Sequence, residues 1–242
     1  MSKRKSSSKI MSNEPINFYE EKKVQRHMTK SHNPNYNNHL IKLPFRSIIV
    51  GSSGAGKSNM VCNILARMGE TFNRVIIVTK AKEPLYDYLQ SQIPDDMLEI
   101  HYELDILERF KEPDFFWGQT LVIFDDLCNE TLKTQAPIAE LYIRGRKLGV
   151  SMIYITQSYY KVPKVIRLQT QYIFIIKVSG MRDLNMILSE YSLTATKHQL
   201  QSMYNYVCNS GVFGNAFVID LDASQDKTYR KNFLEFLNPA DF

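Results

Sequence analysis

The segment Gly51-Ser52-Ser53-Gly54-Ala55-Gly56-Lys57-Ser58 has the spacing G-x-x-x-x-G-K-[ST] in full. Its residue types suit one task, holding a chain of phosphates. Glycines let the backbone curl until several N–H groups point inward. The helix that such a loop opens adds partial positive charge at its N-terminus. The Lys57 ammonium can reach the outer phosphates of ATP, and the Ser58 hydroxyl is a hard oxygen ligand for Mg²⁺. At average residue usage the pattern arises by chance in roughly one chain in a hundred of this length, so context has to decide it. The context agrees, because the apolar run Ile48-Ile49-Val50 precedes the loop and a helical stretch follows it.

Further candidates lie downstream. Asp125 closes the apolar run Leu121-Val122-Ile123-Phe124, a position from which a carboxylate can hold Mg²⁺ through water, as a Walker B aspartate does. Helix capping is the alternative task for such an aspartate pair. Asp126 follows and can orient or deprotonate an attacking water. Many P-loop ATPases carry the longer Glu there, so Glu130 and Glu140 stay open as the base. Gln157 ends another apolar strand, where its amide can sense the γ-phosphate, position water or merely cap. Arg144 and Arg146 close a helical stretch just before that strand. They are either complements of the helix dipole or a finger offered to a neighbouring subunit's phosphoryl group.

These residues need a scaffold, and the hydrophobic pattern predicts one. Short runs rich in Val and Ile predict strands over 46–50, 74–80, 119–126, 150–158, 172–178 and 217–221. Helices are predicted from Lys57 to about Met68, over 134–148 with Ile138, Leu141, Tyr142 and Leu148 on one face, and through about Tyr191. Residues 83–112 read as helices and loops. The expected class is α/β, a P-loop NTPase with a mainly parallel sheet and helices on both faces. A strand lying between the Asp125 strand and the phosphate loop in sequence, with a polar residue ending the strand after Asp125, favours the ATPase branch over nucleotide kinases. Residues 40–242 form the expected P-loop ATPase domain, and residues 1–39 a basic, disordered N-terminal arm in which Asn17–Met28 forms a short helix.

Composition narrows the classes further. The 242 residues are 44% hydrophobic, and no apolar run approaches the roughly 20 residues that a membrane helix needs. The start lacks the apolar segment of a secretory signal, so no export and no membrane partner is expected. Cys62, Cys128 and Cys208 are far apart, and His27, His32 and His39 match no ligand pattern, which argues against a zinc site or a disulfide framework. Residues 1–39 hold eight basic and three acidic residues, the whole net excess of +5, while the remainder carries 22 of each sign. From Glu83 to Asp126 twelve acidic residues face two basic ones, and from Leu141 to Arg182 there are eight basic residues and no acidic one. Such polarisation is either two solvated faces or a protomer suited to head-to-tail assembly around a polyanion. The basic-aromatic segment Tyr159–Arg167 is either a DNA-phosphate contact or a solvated loop.

Taken in order, the phosphate loop, Phe124-Asp125-Asp126 and the stretch Arg146-Lys147-Leu148-Gly149-Val150-Ser151-Met152-Ile153-Tyr154-Ile155-Thr156-Gln157 resemble the FtsK–HerA superfamily. The chain is most similar to the poxvirus-type DNA-packaging ATPases of large DNA viruses and their virophage and transposon relatives. The likeness covers Leu43 to Tyr191, about three-fifths of the chain, and places Arg146 and Gln157 eleven apart. It implies a RecA-like core of the ASCE type, ATP with Mg²⁺, and a homo-oligomeric ring of six. It further implies Arg146 acting in trans, capsid proteins as partners and double-stranded DNA moved into a capsid. The matching location is the host cytoplasm (a virus factory) or nucleus, with association to the virion. Other P-loop readings stay in view: a small-molecule kinase, a nucleotide switch, a cellular-type DNA pump, or an assembly protein that binds ATP without turnover. A GTP switch should show N-K-x-D, which this sequence does not contain.

Overall fold

The computed structural model describes residues 15–26, 30–112, 114–192 and 194–242. The chain divides into two units, Met1–Lys30 and Ser31–Phe242. The arm expected over 1–39 straddles that division, and its residues 1–14 and 27–29 lie outside the described ones. In the first unit a 3₁₀ turn, Phe18–Glu20, is capped by Asn17 and leads to a single helical turn, α1 (Lys22–Gln25). The helix expected to reach Met28 is therefore short, with His27 and Met28 outside the described residues.

In the second unit the strands are β1 (Arg46–Val50), β2 (Arg74–Thr79), β3 (Leu98–His101), β4 (Thr120–Asp125), β5 (Val150–Thr156), β6 (Tyr172–Ile175), β7 (Phe217–Asp220), β8 (Tyr229–Lys231) and β9 (Glu235–Phe236). The helices are α2 (Lys57–Arg67), α3 (Pro84–Gln92), α4 (Ile106–Arg109), α5 (Leu132–Leu148), α6 (Lys164–Gln169), α7 (Met181–Glu190) and α8 (Lys197–Cys208). All strands join one sheet in the order β3-β2-β4-β5-β1-β6-β7-β8-β9. Pairing is parallel from β3 through β6 and antiparallel from β6 to β9.

The parallel strands are nearly continuous apolar runs because both sheet faces are covered. Successive side chains alternate between two cores. Ile48, Val50, Val122 and Phe124 pack with residues of α4–α8, whereas Ile49, Leu121 and Ile123 pack with Met60, Val61 and Ile64 of α2 and Tyr86 and Leu89 of α3. α5 packs closely on β5 at Gly145, where an added Cβ would displace the Met152 side-chain end and lie 3.4 Å from the Val150 carbonyl oxygen. The helix stops at Gly149, whose φ of 71° suits the left-handed cap and whose N–H turns back onto the last carbonyls.

Several elements differ from the sequence expectation. β3 lies inside the stretch read as helices and loops; it is a four-residue edge strand with only Leu98 buried, and its apolar–polar alternation is too short to stand out. β8 and β9 extend the sheet beyond the strand expected to be last. α8 opens with a capping box between Thr196 and Gln199. The antiparallel extension is tied by a buried ion pair, Arg230 Nη2 to Asp220 Oδ2 at 2.9 Å.

His39 is wholly buried, its Nδ1 accepting the Ile41 N–H at 2.9 Å. Burial first, then the Arg230 and Arg67 guanidiniums, hold its pKa down to about 4 from 6.5. Those cations also make it a poor metal ligand. Between these two values the unfolded chain binds a proton that the folded chain refuses, so stability is full above pH 6.5 and drains as pH falls towards 4. Urea unfolding across that range should show His39→Asn losing less stability on acidification than wild type; parallel slopes would refute the assignment.

Candidate functional site

The loop after β1 runs along the carboxyl edge of the sheet. Gly51 N–H donates to the Thr156 carbonyl at 3.2 Å and Ser52 N–H to the Lys177 carbonyl at 2.9 Å, so the loop is pinned to the end of β5 and to the segment following β6. Ala55 N–H closes a turn onto the Ser52 carbonyl at 3.2 Å. Gly56 caps α2 at φ 102°, a conformation that side chains resist. Any Cβ there would lie 3.0 Å from Gly214 Cα and 3.2 Å from the Phe213 ring. Lys57 and Ser58 then begin α2, and the Lys57 Nζ donates to the Ser52 carbonyl at 3.0 Å.

A cleft of about 640 Å³ opens over this loop, lined by Ser53, Gly54, Gly56, Lys57 and Ser58 together with Asp125, Asp126 and Gln157. The three downstream residues arrive there because β4 and β5 end level with β1: Val50 pairs with Thr156, and Asp125 with Ile155. Gln157 lies one residue past the end of β5, and its Nε2 donates to Asp126 Oδ2 at 2.8 Å. Asp126 has φ 54°, a left-handed conformation that aspartate tolerates better than most residues, and its N–H donates to the Ile155 carbonyl at 3.1 Å.

The charges interact. Burial pushes the Asp125 carboxyl up; the Tyr86 hydroxyl bond and Lys57 oppose this, and Asp126 adds to it. Burial pushes Lys57 down, against the attraction of Asp126 and Asp125. A half-buried cation thus faces two carboxylates in a cleft bordered by the start of a helix. Such an arrangement suits an anionic ligand accompanied by a divalent cation.

Arg146 is not brought to this cleft. It is exposed in the last turn of α5, which leads into the start of β5, and so lies at the opposite edge of the sheet. Its charge, after burial, depresses the guanidinium pKa of Arg46, the first residue of β1. Arg144 pairs with Glu140 at 2.8 Å on the α5 surface. Of the alternative bases, Glu130 is paired with Lys80 at 3.0 Å and Glu140 is absent from the cleft lining. The basic-aromatic segment splits into two parts. Tyr159 is buried, its hydroxyl bonded to Glu190 and Tyr191, and Arg167 is ion-paired with Glu190. Tyr160, Lys161 and Lys164 remain exposed, with Arg182 stacked 3.6 Å from the Tyr160 ring centre.

Tyr86 escaped sequence reasoning. It is fully buried in α3 and donates its O–H to Asp125 Oδ2 at 2.6 Å, a contact across 39 residues with no sequence signature. Phe213 and Asn59, which also line the cleft, were missed for the same reason. Removing the hydroxyl in Tyr86→Phe leaves a buried carboxylate oxygen without a donor, at about 1–3 kcal/mol. Chemical denaturation should find that deficit near pH 7 and a smaller one in acid, where Asp125 is protonated and the ionic part of the bond is already lost.

Residues 33–224 match the family described as Poxvirus A32 protein. DNA packaging protein OPG160 of Variola virus is 25% identical over 139 residues, covering 51% of this chain and 50% of the relative. The Monkeypox virus protein of the same name is 25% identical over 139 residues, covering 51% and 45%. The chain spans about half the length of these relatives. Among solved structures, the genome packaging NTPase B204 from Sulfolobus turreted icosahedral virus 2 in complex with AMPPCP matches with a TM-score of 0.58 at 18% identity, covering 79% of this chain and 98% of that one. ATPases 2 and 3 of Thermomonospora curvata EccC match with a TM-score of 0.50 at 14% identity, covering 84% and 38%. At such identities the structural likeness speaks for the fold. The family match spans well over half of the sequence, and the chain belongs to the Poxvirus A32 protein family.

Proposed function

We propose that the chain is a Mg²⁺-dependent ATPase that drives double-stranded DNA into a viral capsid. The observation that carries this reading is the meeting of the Gly51–Ser58 loop, Asp125, Asp126 and Gln157 around one cleft at the carboxyl edge of a parallel sheet. β5 lies between β1 and β4 in space, which supports the ATPase branch. The name shared by the packaging relatives supports DNA as the substrate.

The loop N–H groups and Lys57 bind the phosphates, Lys57 exchanging its bond to the Ser52 carbonyl for phosphate oxygens. The Ser58 hydroxyl and Asp125 carboxylate are hard oxygen donors and fit a Mg²⁺ ion, and a cation beside Asp125 offsets the cost of burying that carboxylate. Bound there, Mg²⁺ supplies charge neutralisation to the β- and γ-phosphates. Asp126 orients and deprotonates the attacking water, held in place by the Gln157 amide, which in turn registers the γ-phosphate. The engagement of Glu130 by Lys80 supports Asp126 in this role.

Arg146 serves a neighbouring subunit. The seven residues of β5 span roughly 23 Å, too far for Arg146 to reach the cleft of its own chain. A ring of six, each subunit offering Arg146 to the next, accommodates that separation. Tyr160, Lys161, Lys164 and Arg182 are the cations and ring available for DNA phosphates, while Tyr159 and Arg167 are committed internally. Capsid proteins are the docking partners, and the cytoplasmic virus factory is the setting.

Steady-state ATP hydrolysis with and without linear double-stranded DNA tests this. DNA should stimulate turnover and Lys57→Ala should abolish it. Arg146→Ala should lower kcat by about 10³-fold or more, and should poison mixtures with wild type beyond simple dilution. Turnover indifferent to DNA, with Arg146→Ala diluting activity only in proportion, would overturn the ring-motor reading.

A further inference from the structure

The cleft lining is of two chemical kinds. Lys57, Asp125, Asp126 and Gln157 are ionic or polar and fit phosphates. Phe213, on the loop between α8 and β7, lines the same cleft and is 68% exposed. Its ring rests against the phosphate loop itself: a Cβ on Gly56 would lie 3.2 and 3.3 Å from Phe213 Cζ and Cε1.

The loop that presents this ring is braced. Asn215 Nδ2 donates to Ser210 Oγ at 2.9 Å, Asn232 Nδ2 donates to Asn215 Oδ1 at 2.9 Å, and Ala216 N–H donates to Asn232 Oδ1 at 2.9 Å. Gly214, at φ 77°, brings the backbone close to α2, where its Cβ would lie 3.0 Å from Asn59 Nδ2. The loop backbone that carries the ring is therefore held in position before any ligand arrives, which lowers the cost of ordering the ring on binding. A nucleotide laid with its phosphates along Gly51–Ser58 leaves its base beyond the loop, where a nucleobase needs a flat apolar face.

We infer that Phe213 is the platform on which the nucleotide's base stacks. This rests on the reading of the cleft as a nucleotide site, and it makes Phe213 a binding residue for the base, distinct from those that hold phosphate. Stacking explains the exposure of a ring fixed at the cleft, and it assigns the α8–β7 loop a task that no motif in the sequence indicates.

Calorimetric titration of the full chain with Mg²⁺ present, using ADP and inorganic pyrophosphate as two probes, tests it. Phe213→Leu keeps an apolar cover over Gly56 but removes the π-face. It should weaken ADP by roughly 5- to 100-fold and leave pyrophosphate unchanged. Phe213→Trp should bind ADP as wild type does or more tightly, and both variants should melt at the wild-type temperature. Equal weakening of ADP and pyrophosphate would make Phe213 a brace for the loop and overturn the inference, as would unchanged ADP binding in Phe213→Leu. Wild-type protein that binds neither probe would overturn the nucleotide reading itself, and the inference with it.

Discussion

Parallel pairing of β5 between β1 and β4 is the constraint on which the proposed site depends. With Val50 opposite Thr156 and Asp125 opposite Ile155, three strands finish level, so a glycine loop, a carboxylate pair and an amide share one edge. Antiparallel pairing would have sent one of them to the far side. A slip of one residue would have turned every side chain of the slipped strand to the opposite face. Because crossover helices cover both faces, β2 and β5 are buried along their whole length and β4 along all but Asp125, and the apolar demand of two cores holds the register.

At that edge the chain gathers several costly features. Asp126 has a positive φ, Gly56 sits at 102°, and Asp125 and Lys57 lie half-buried with their charges shifted toward neutrality by desolvation. The three side chains among them are each supported by a neighbour. Tyr86 donates to Asp125, Gln157 to Asp126, and the Ser52 carbonyl receives the Lys57 ammonium. Strain and burial gathered at one edge and braced by the surrounding core are the ordinary signature of a functional site. On the far side of the sheet, by contrast, Arg230 and Asp220 form a buried pair whose work is to hold the antiparallel extension together.

Much of this was legible in residue order. The phosphate loop, β1, α2 and the apolar strands carry strong local signals, since a strand buried on both faces must be written as Val, Ile and Phe. Other elements gave weak ones. β3 is short and half-exposed at the sheet edge, so the alternation of Leu98-Glu99-Ile100-His101 ends after four residues, too few to mark a strand. α8 carried a capping box, Thr196 with Gln199, that was available and not used. The segment from Tyr159 to Arg167 had a composition suited to a polyanion, yet Glu190 arrives from α7 to engage both of those residues. Composition cannot show that, because the partner lies 31 residues from Tyr159 and 23 from Arg167.

By itself the sequence determined the chemistry that depends on consecutive residues. The proposed phosphate-binding loop is of this kind, since its curled backbone, helix N-terminus, lysine and serine are covalent neighbours. Tertiary structure alone decided which distant groups answer it. Strand order placed Asp126 and Gln157 beside Lys57 and carried Arg146 to the other edge. The packing of α3 set Tyr86 under Asp125, and the sheet's antiparallel extension laid Phe213 against Gly56. These contacts depend on the relative placement of whole elements, which the burial of two cores fixes and which no short stretch of residues encodes.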